Sequence, residues 1–539
     1  MFWKCSDLGM SARALLRAGF ALVLVLLFEP SMFGANCKVL HHPPPSEADT
    51  AYLAGDFTKA ATLYQAALSK NPGDVDSTIG LVHSLLRQQK VLEAADVLKA
   101  PVATEVPALM TLRGEVELRQ GEPQKAIQTG VASHNLDPCN PRTMLLLSRL
   151  EGLNSRYATA NKMLLIAHQI DNEDPEIRSA WMKTLPAEQR ITEMEAYLAA
   201  PRGDNPMERS DLQTDLSRLK AWAAEPRKPC TMVSTATAAE IPFVPILSDS
   251  DRTVAFGLAV KINNHAARLA IDTSYNARLP IDGVSGLLIS RAVAQHSGLK
   301  PIFKNDVAGT GPQGPRSGFV GIADSISIGG IEFHDCAVQV MDVNFPNGAE
   351  GLIGMDIFSS FLVTLDFPAK KLILGPLPSR PQGTASSNGL YDRYIAPEMK
   401  GYHPIFRTGS DLILPLSVNG KQTMLFVADT AIGPSALSQA AAHEVIEGHK
   451  DPKYEVRDAP QSTDFITSLS DIGLNFWETS WKESIMVSFD TSRFTDDAGT
   501  EISGLIGLRT LSGMTLHIDY RDGLVKLDYD PKRKSSLSF

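Results

Sequence analysis

The sequence predicts a multidomain chain: an all-α repeat solenoid followed by two mainly-β lobes that are copies of one unit. Three observations carry this. Alanines recur at Ala60, Ala94, Ala126 and Ala160, at intervals of 34, 32 and 34 residues. Strand-like runs end twice in Asp-Thr and a small residue, as Asp272-Thr273-Ser274 and as Asp429-Thr430-Ala431. Gly-Leu-Ile-Gly stands at 351–354 and again at 504–507, and Leu365-Asp366-Phe367 and Ile518-Asp519-Tyr520 follow at the same offset of 153 residues.

At 539 residues the chain exceeds what one ordinary core organises, so several domains are expected. Apolar residues make up 43% and charged residues 21%, the balance of a globular protein. The 51 Lys and Arg against 61 Asp and Glu give a net charge of −10 without a basic block, so no nucleic-acid partner is expected.

At the N-terminus, Lys4, Arg13 and Arg17 precede an apolar run at 18–28, which Glu29 closes; Gly34 and Ala35 follow. A positive flank, a short apolar run and small residues predict a signal peptide over 1–35 and a periplasmic or extracellular location. An uncleaved N-terminal anchor is the alternative, although the run is short for a membrane span. With Cys5 inside the signal, Cys37, Cys139, Cys230 and Cys336 are scattered without paired spacing. That scatter predicts mostly small buried apolar residues without metal-ligand spacing; a disulfide is allowed by the compartment but not indicated.

The repeat region covers 47–225. "GDFTKAATLY", "QKVLEAADVL", "GEPQKAIQTG" and "SRYATANKML" surround the four alanines in register. A small residue at a fixed position lets paired helices cross closely. Leu63, Leu98 and Leu164 fill the space between pairs, and Pro72 and Pro138 stop second helices. The pattern resembles tetratricopeptide repeats, whose period is near 34 residues. The resemblance implies a concave face that binds a protein partner, with a plain spacer as the alternative. The periodicity fades after about residue 185 into closing helices, and Pro, Thr, Ser and Ala at 226–250 predict a linker.

The period then changes. "TVAFGLAVKINNHAARLAIDT" reads as two strands around Asn263-Asn264, and "DLILPLSVNGKQTMLFVADT" as two strands around Asn419-Gly420. In both, Asp-Thr falls just past the second strand. The lobes are placed at 251–378 and 403–535, with a linker at 379–402 between them.

This order of strand, turn, strand, Asp-Thr-small and a later apolar-apolar-Gly resembles the aspartic peptidase superfamily, in particular bacterial retropepsin-like lobes. The resemblance spans both copies. It implies that Asp272 and Asp429 form one carboxylate pair and that a polypeptide is the substrate. Thr273 and Thr430 would brace the two loops across the lobe interface, while Gly354 and Gly507 would let backbone pack closely behind the carboxylates. One chain supplies both lobes, so a monomer completes the site. A glycine-rich loop with Gly309, Thr310 and Gly311 would close over bound peptide. Two close carboxylates cannot both ionise cheaply, so they hold one proton between them and divide the roles of base and acid.

The family's third triad residue is usually Gly, and here it is Ser274 and Ala431. In the first copy the apolar run "GLLIS" comes late, after a rival Asp282 preceded by "ARLPI". Asp272 aligns with the second copy without a gap; Asp282 is the alternative. These departures leave two readings open, an exported endopeptidase and a peptide-binding protein without hydrolytic activity. "GTGPQG" at 309–314 is not followed by a helix-forming run, and His443 and His449 are six apart and cannot share a helix face. No nucleotide, metal or other cofactor is expected.

Overall fold

In the repeat region, one residue per unit has left-handed backbone. Gly55, Gln89, Gly121 and Ser155 all have φ between 56° and 78°, each five residues before one of the four periodic alanines. Each sits two residues past a helix end, where a left-handed residue reverses the chain and starts the second helix of the pair. The pairs are Glu47–Leu53 with Phe57–Lys70, Val75–Arg87 with Val91–Val97, Pro107–Arg119 with Pro123–Leu136, and Pro141–Leu153 with Tyr157–Ile170. Ala60, Ala94 and Ala126 are fully enclosed at the crossings, and Ala160 nearly so. Pro175–Met182, Ala187–Ala199 and Pro206–Ala223 close the array. This is a computed structural model, and it describes residues 37–99, 106–200, 203–226, 230–247, 252–275, 277, 279, 281, 284–306, 316–381, 389–447, 472–483, 486–488, 490–530, 532 and 537. The expected signal over 1–35 lies outside the described residues. Among them, no helix is long and apolar enough to cross a membrane.

The first helices of successive pairs carry a half-buried ionic network. Arg142 Nε bonds Asp174 Oδ2 at 2.9 Å and its guanidinium reaches Glu176, which also takes Arg149 at 2.8 Å. His83 Nε2 meets Glu115 Oε2 at 3.2 Å. These cations hold the Glu176 carboxyl well below the usual carboxylate range despite its burial.

Among the described residues, a nine-stranded sheet forms the first lobe, an eight-stranded sheet the second, and a six-stranded sheet is shared by both. The expected hairpins are present. Thr253–Ile262 pairs with His265–Ile271 around Asn263-Asn264, and Asp411–Val418 pairs with Gln422–Ala428 around Asn419-Gly420. All four turn residues have positive φ, the geometry that matches strand twist in tight hairpins. In the shared sheet, Phe361–Asp366 runs antiparallel to Met514–Asp519 with Thr364 opposite His517. Thr364 and His517 are themselves 153 residues apart, the offset of the duplication, so the pseudo-two-fold axis passes between them. Thr364 Oγ1 and His517 Nδ1 are 2.9 Å apart.

Two expectations are corrected. The stretch 226–250 carries strands: Ala239–Pro242 is an edge of the shared sheet and Val244–Leu247 pairs with Thr253–Ile262. Ile241, Phe243 and Ile246 point inward while Pro242 and Pro245 face out, and sheet edges tolerate proline. Cys230 and Cys336, 106 residues apart, form a disulfide, and Cys37 and Cys139 are each disulfide-bonded too. Cys230 leads into Thr231–Met232, which pairs with Ile331–Met341, so the two sulfurs meet through a ladder that spacing cannot reveal.

The repeat array is packed onto both lobes rather than held apart from them. Met182, Met194, Tyr197, Leu216 and Leu219 share an apolar cluster with Phe303, Val320 and Ala337 of the first lobe. Thr159 donates from N and Oγ1 to Asp392 between the lobes, at 3.0 and 2.6 Å. In the second lobe, Glu501 N donates to Arg119 O at 3.2 Å and Thr500 Oγ1 to Leu118 O.

Candidate active site

Each Asp-Thr turn is set by a parallel strand pair. Gly351–Ile353 lies beside His265–Ile271 with Ile353 opposite Ile271, and Gly504–Ile506 lies beside Gln422–Ala428 with Ile506 opposite Ala428. The next amide in each case crosses over: Asp272 N donates to Ile353 O and Asp429 N to Ile506 O, both at 3.0 Å. The backbone thus delivers Asp272 and Asp429 by the same construction in the two lobes.

The threonines lock the lobes together. Thr273 Oγ1 donates to Ala428 O at 2.7 Å and accepts from Thr430 N at 3.2 Å. Reciprocally, Thr430 Oγ1 donates to Ile271 O at 2.8 Å and accepts from Thr273 N at 3.1 Å. Four hydrogen bonds in a buried interface fix the separation and tilt of the turns. A Cβ on Gly507 would lie 2.4 Å from Pro434 O, and one on Gly354 2.7 Å from Asp356 Oδ1, so both glycines answer to close approach behind the turns.

Both carboxyl groups are buried and receive amide donors: Ser274 N to Asp272 Oδ1 at 2.9 Å, and Ala431 N to Asp429 Oδ1 at 2.7 Å. Neither Ser274 nor Ala431 has positive φ, so a side chain at the triad's third position brings no backbone strain. Ala431 is exposed, whereas Ser274 points inward. The Ser274 hydroxyl donates to Asp272 Oδ1 at 2.9 Å and also stabilises the Asp429 carboxylate. Burial, and after it the charge of Asp272, push the Asp429 carboxyl up to about 7. Burial raises Asp272 as well, opposed by the Ser274 hydroxyl and amide and by the charge of Arg493.

Several residues around this centre carry no sequence signal. Tyr275 hydrogen-bonds Gln339, whose amide donates to Ala277 O at 2.7 Å, and Ser410 of the second lobe donates to Tyr275 O at 2.6 Å. Behind Gly507, Ser435 Oγ accepts from Gly507 N and donates to the buried Glu483, which also accepts from Thr510 and Trp481. Asp356, half-buried, sits close to Gly354 and Gly286, and desolvation of its carboxyl pushes it up to about 6. Asp282 and the loop residues Gly309, Thr310 and Gly311 lie outside the described residues.

The aspartyl protease family matches residues 258–357, and the tetratricopeptide repeat family matches 46–104. No curated protein matches the chain. Among solved structures, the aspartic proteinase from Irpex lacteus is similar at 11% identity and TM-score 0.34, over 56% of this chain and 100% of that one. A thermophilic TPR protein of Thermus thermophilus is similar at 21% identity and TM-score 0.25, over 31% of this chain and 91% of that one. The chain carries an aspartyl-protease domain of the retropepsin-like type behind an N-terminal region of tetratricopeptide repeats.

Proposed function

We propose that the chain is an exported aspartic endopeptidase that hydrolyses peptide bonds with a water activated between Asp272 and Asp429. The observation that carries this reading is that Asp272 and Asp429 are buried on matching turns braced by four threonine hydrogen bonds, where burial and then the charge of Asp272 raise the proton affinity of Asp429. Asp272, favoured as carboxylate by Ser274 and Arg493, takes a proton from water as its oxygen attacks the scissile carbonyl carbon. Asp429, protonated below about pH 7, gives its proton to the carbonyl oxygen. Collapse of the resulting gem-diol breaks the C–N bond: Asp272 gives the proton it took from water to the leaving nitrogen, and a gem-diol hydroxyl returns a proton to Asp429, which restores the starting pair. The apparent titrations belong to the pair. The repeat array recruits the protein partner or substrate, and the Cys230–Cys336 disulfide fits an oxidising compartment.

The test is cleavage of an unstructured protein by the purified full chain between pH 4 and 8. Activity should fall as pH rises through about 7 and vanish in both Asp272→Asn and Asp429→Asn. Unchanged turnover in either variant removes the mechanism. A second reading rests on Ser274, whose inward hydroxyl donates to Asp272 where the mechanism needs water. In that reading the lobes bind peptide without cleaving it, and Ser274→Gly would create activity that the native chain lacks.

A further inference from the structure

The two Asp-Thr turns are closed in different ways. In the second lobe, the carbonyl of Ile432, three residues past Asp429, accepts from Leu508 N at 2.8 Å, and Gly433 O accepts from Arg509 N at 2.8 Å. Backbone of the same lobe closes that turn. In the first lobe the matching position is Tyr275, and its carbonyl accepts from Ser410 Oγ of the second lobe at 2.6 Å. The Tyr275 hydroxyl bonds to Gln339 on the strand Ile331–Met341, and Gln339 in turn donates to Ala277 O at 2.7 Å. Tyr275 N donates to Asp272 O at 3.3 Å. Tyr275 is thus held at its amide, its carbonyl and its hydroxyl, and Tyr275, Gln339 and Ser410 are all buried.

Ser410 is itself placed with little freedom. Thr408 pairs with Asp411 across the antiparallel strands Phe406–Thr408 and Asp411–Val418, which leaves Gly409 and Ser410 as a two-residue turn. Gly409 comes first and has φ 55°, the conformation that tight hairpin turns ask of a glycine at their first central position. On the other side, a Cβ on Gly354 would lie 3.2 Å from Tyr275 O, so this carbonyl is enclosed between Gly354 of its own lobe and the hydroxyl of the opposite one. A buried carbonyl that loses its donor costs about 1–3 kcal/mol. Turning Tyr275 O toward another donor would move Tyr275, which directly follows Ser274, whose amide holds Asp272 Oδ1 at 2.9 Å. The threonine bonds join the two turns reciprocally, whereas the Ser410 bond bears on the first turn.

We propose that Ser410 is a positioning residue for Asp272: from the opposite lobe, and through Tyr275, it holds the Ser274 amide on the Asp272 carboxyl. Its consequence for turnover rests on the peptidase reading, whereas its effect on the carboxyl does not.

The experiment compares full chains carrying Ser410→Ala, Ser410→Cys and Ser410→Thr with the native chain. Two quantities are read: kcat and KM on a peptide taken from a cleaved unstructured protein, and the carbon-13 titration of the aspartate carboxyls. An amide donor favours the ionised carboxyl, so loosening it raises the pH at which Asp272 titrates. Asp429, Ser274, Tyr275 and Arg493 act on Asp272, and Asp356 acts on Tyr275; all are unchanged in every variant. Ser410→Ala should raise the Asp272 titration by about half a pH unit or more. It should lower kcat by about tenfold or more and leave KM within about twofold, as for an interaction that matters in the transition state. Ser410→Thr keeps the hydroxyl and should restore both quantities. Ser410→Cys, a weaker donor of similar size, should fall between, and it carries the test if alanine prevents folding. A lowered urea midpoint with the Asp272 titration and kcat both unchanged is what a merely structural role gives, and it overturns the proposal. So does a threonine variant no better than alanine. Should the native chain cleave nothing, a raised Asp272 titration in Ser410→Ala keeps the role of Ser410 and removes the peptidase. Cleavage by the native chain with Asp272 and kcat unmoved in Ser410→Ala does the reverse.

Discussion

Replacing Asp429 by Asn should make the protein more stable at neutral pH while abolishing hydrolysis. The carboxyl is almost fully enclosed, and burial together with Asp272 pushes it up to about 7 from an ordinary 3.8. A carboxyl whose folded value is raised contributes stability that is complete below its unfolded value and is lost as pH climbs through the folded one. The window is therefore about pH 4 to 7. About three pH units at about 1.4 kcal/mol each put the loss at about 4 kcal/mol. Asn keeps the acceptor that takes Ala431 N, at 2.7 Å in the native turn, and cannot ionise. Native and Asp429→Asn chains should thus unfold alike near pH 4, and the variant should lead by about 2–4 kcal/mol at pH 8. Urea unfolding of the full chain at both pH values reads the difference. An Asn variant less stable at pH 8, or the same gap at pH 4 and pH 8, would refute the reasoning, because neither is compatible with a proton held by burial and a neighbouring charge.

Other outcomes follow from the same geometry. Thr430→Val leaves Thr273 N without its acceptor and Ile271 O without its donor, and should cost about 1–3 kcal/mol in urea unfolding, with lost turnover. Gly507→Ala places a methyl 2.4 Å from Pro434 O and should destabilise by about 1–3 kcal/mol, again read by unfolding. In the array, Arg142→Met leaves Asp174 without its cation and Glu176 with Arg149 alone, and should cost about 1–3 kcal/mol, visible as a lowered thermal midpoint at pH 7.

What was legible in the sequence was what short-range pattern encodes. Asn263-Asn264 and Asn419-Gly420 announce hairpins because tight turns demand positive φ, and the lobe frame follows from them. The alanine register announced the helical pairs, although the left-handed residues at Gln89 and Ser155 hide the turn signal that Gly55 and Gly121 display. The Asp-Thr turns were found because they occur twice, and the threonine bonds across the interface follow from that symmetry. The rest is non-local. The partnership of Cys230 with Cys336 depends on a ladder between Thr231 and His334, and Pro-rich text at 226–250 reads as a linker until an edge position admits its prolines. Arg493, Glu483 and Ser410 are ordinary residues in sequence, made relevant only by what the fold sets opposite them.

In the proposed mechanism one proton is held between two carboxyl groups, one from each lobe. Carbon-13 NMR of the aspartate carboxyls, followed from pH 3 to 9 in the native chain and in Asp272→Asn, tests it most directly. Asp429 should titrate near pH 7 and move toward the ordinary range, without reaching it, when Asp272 is neutralised, since burial remains. An Asp429 that titrates near pH 4, or that does not respond to Asp272, would contradict the account.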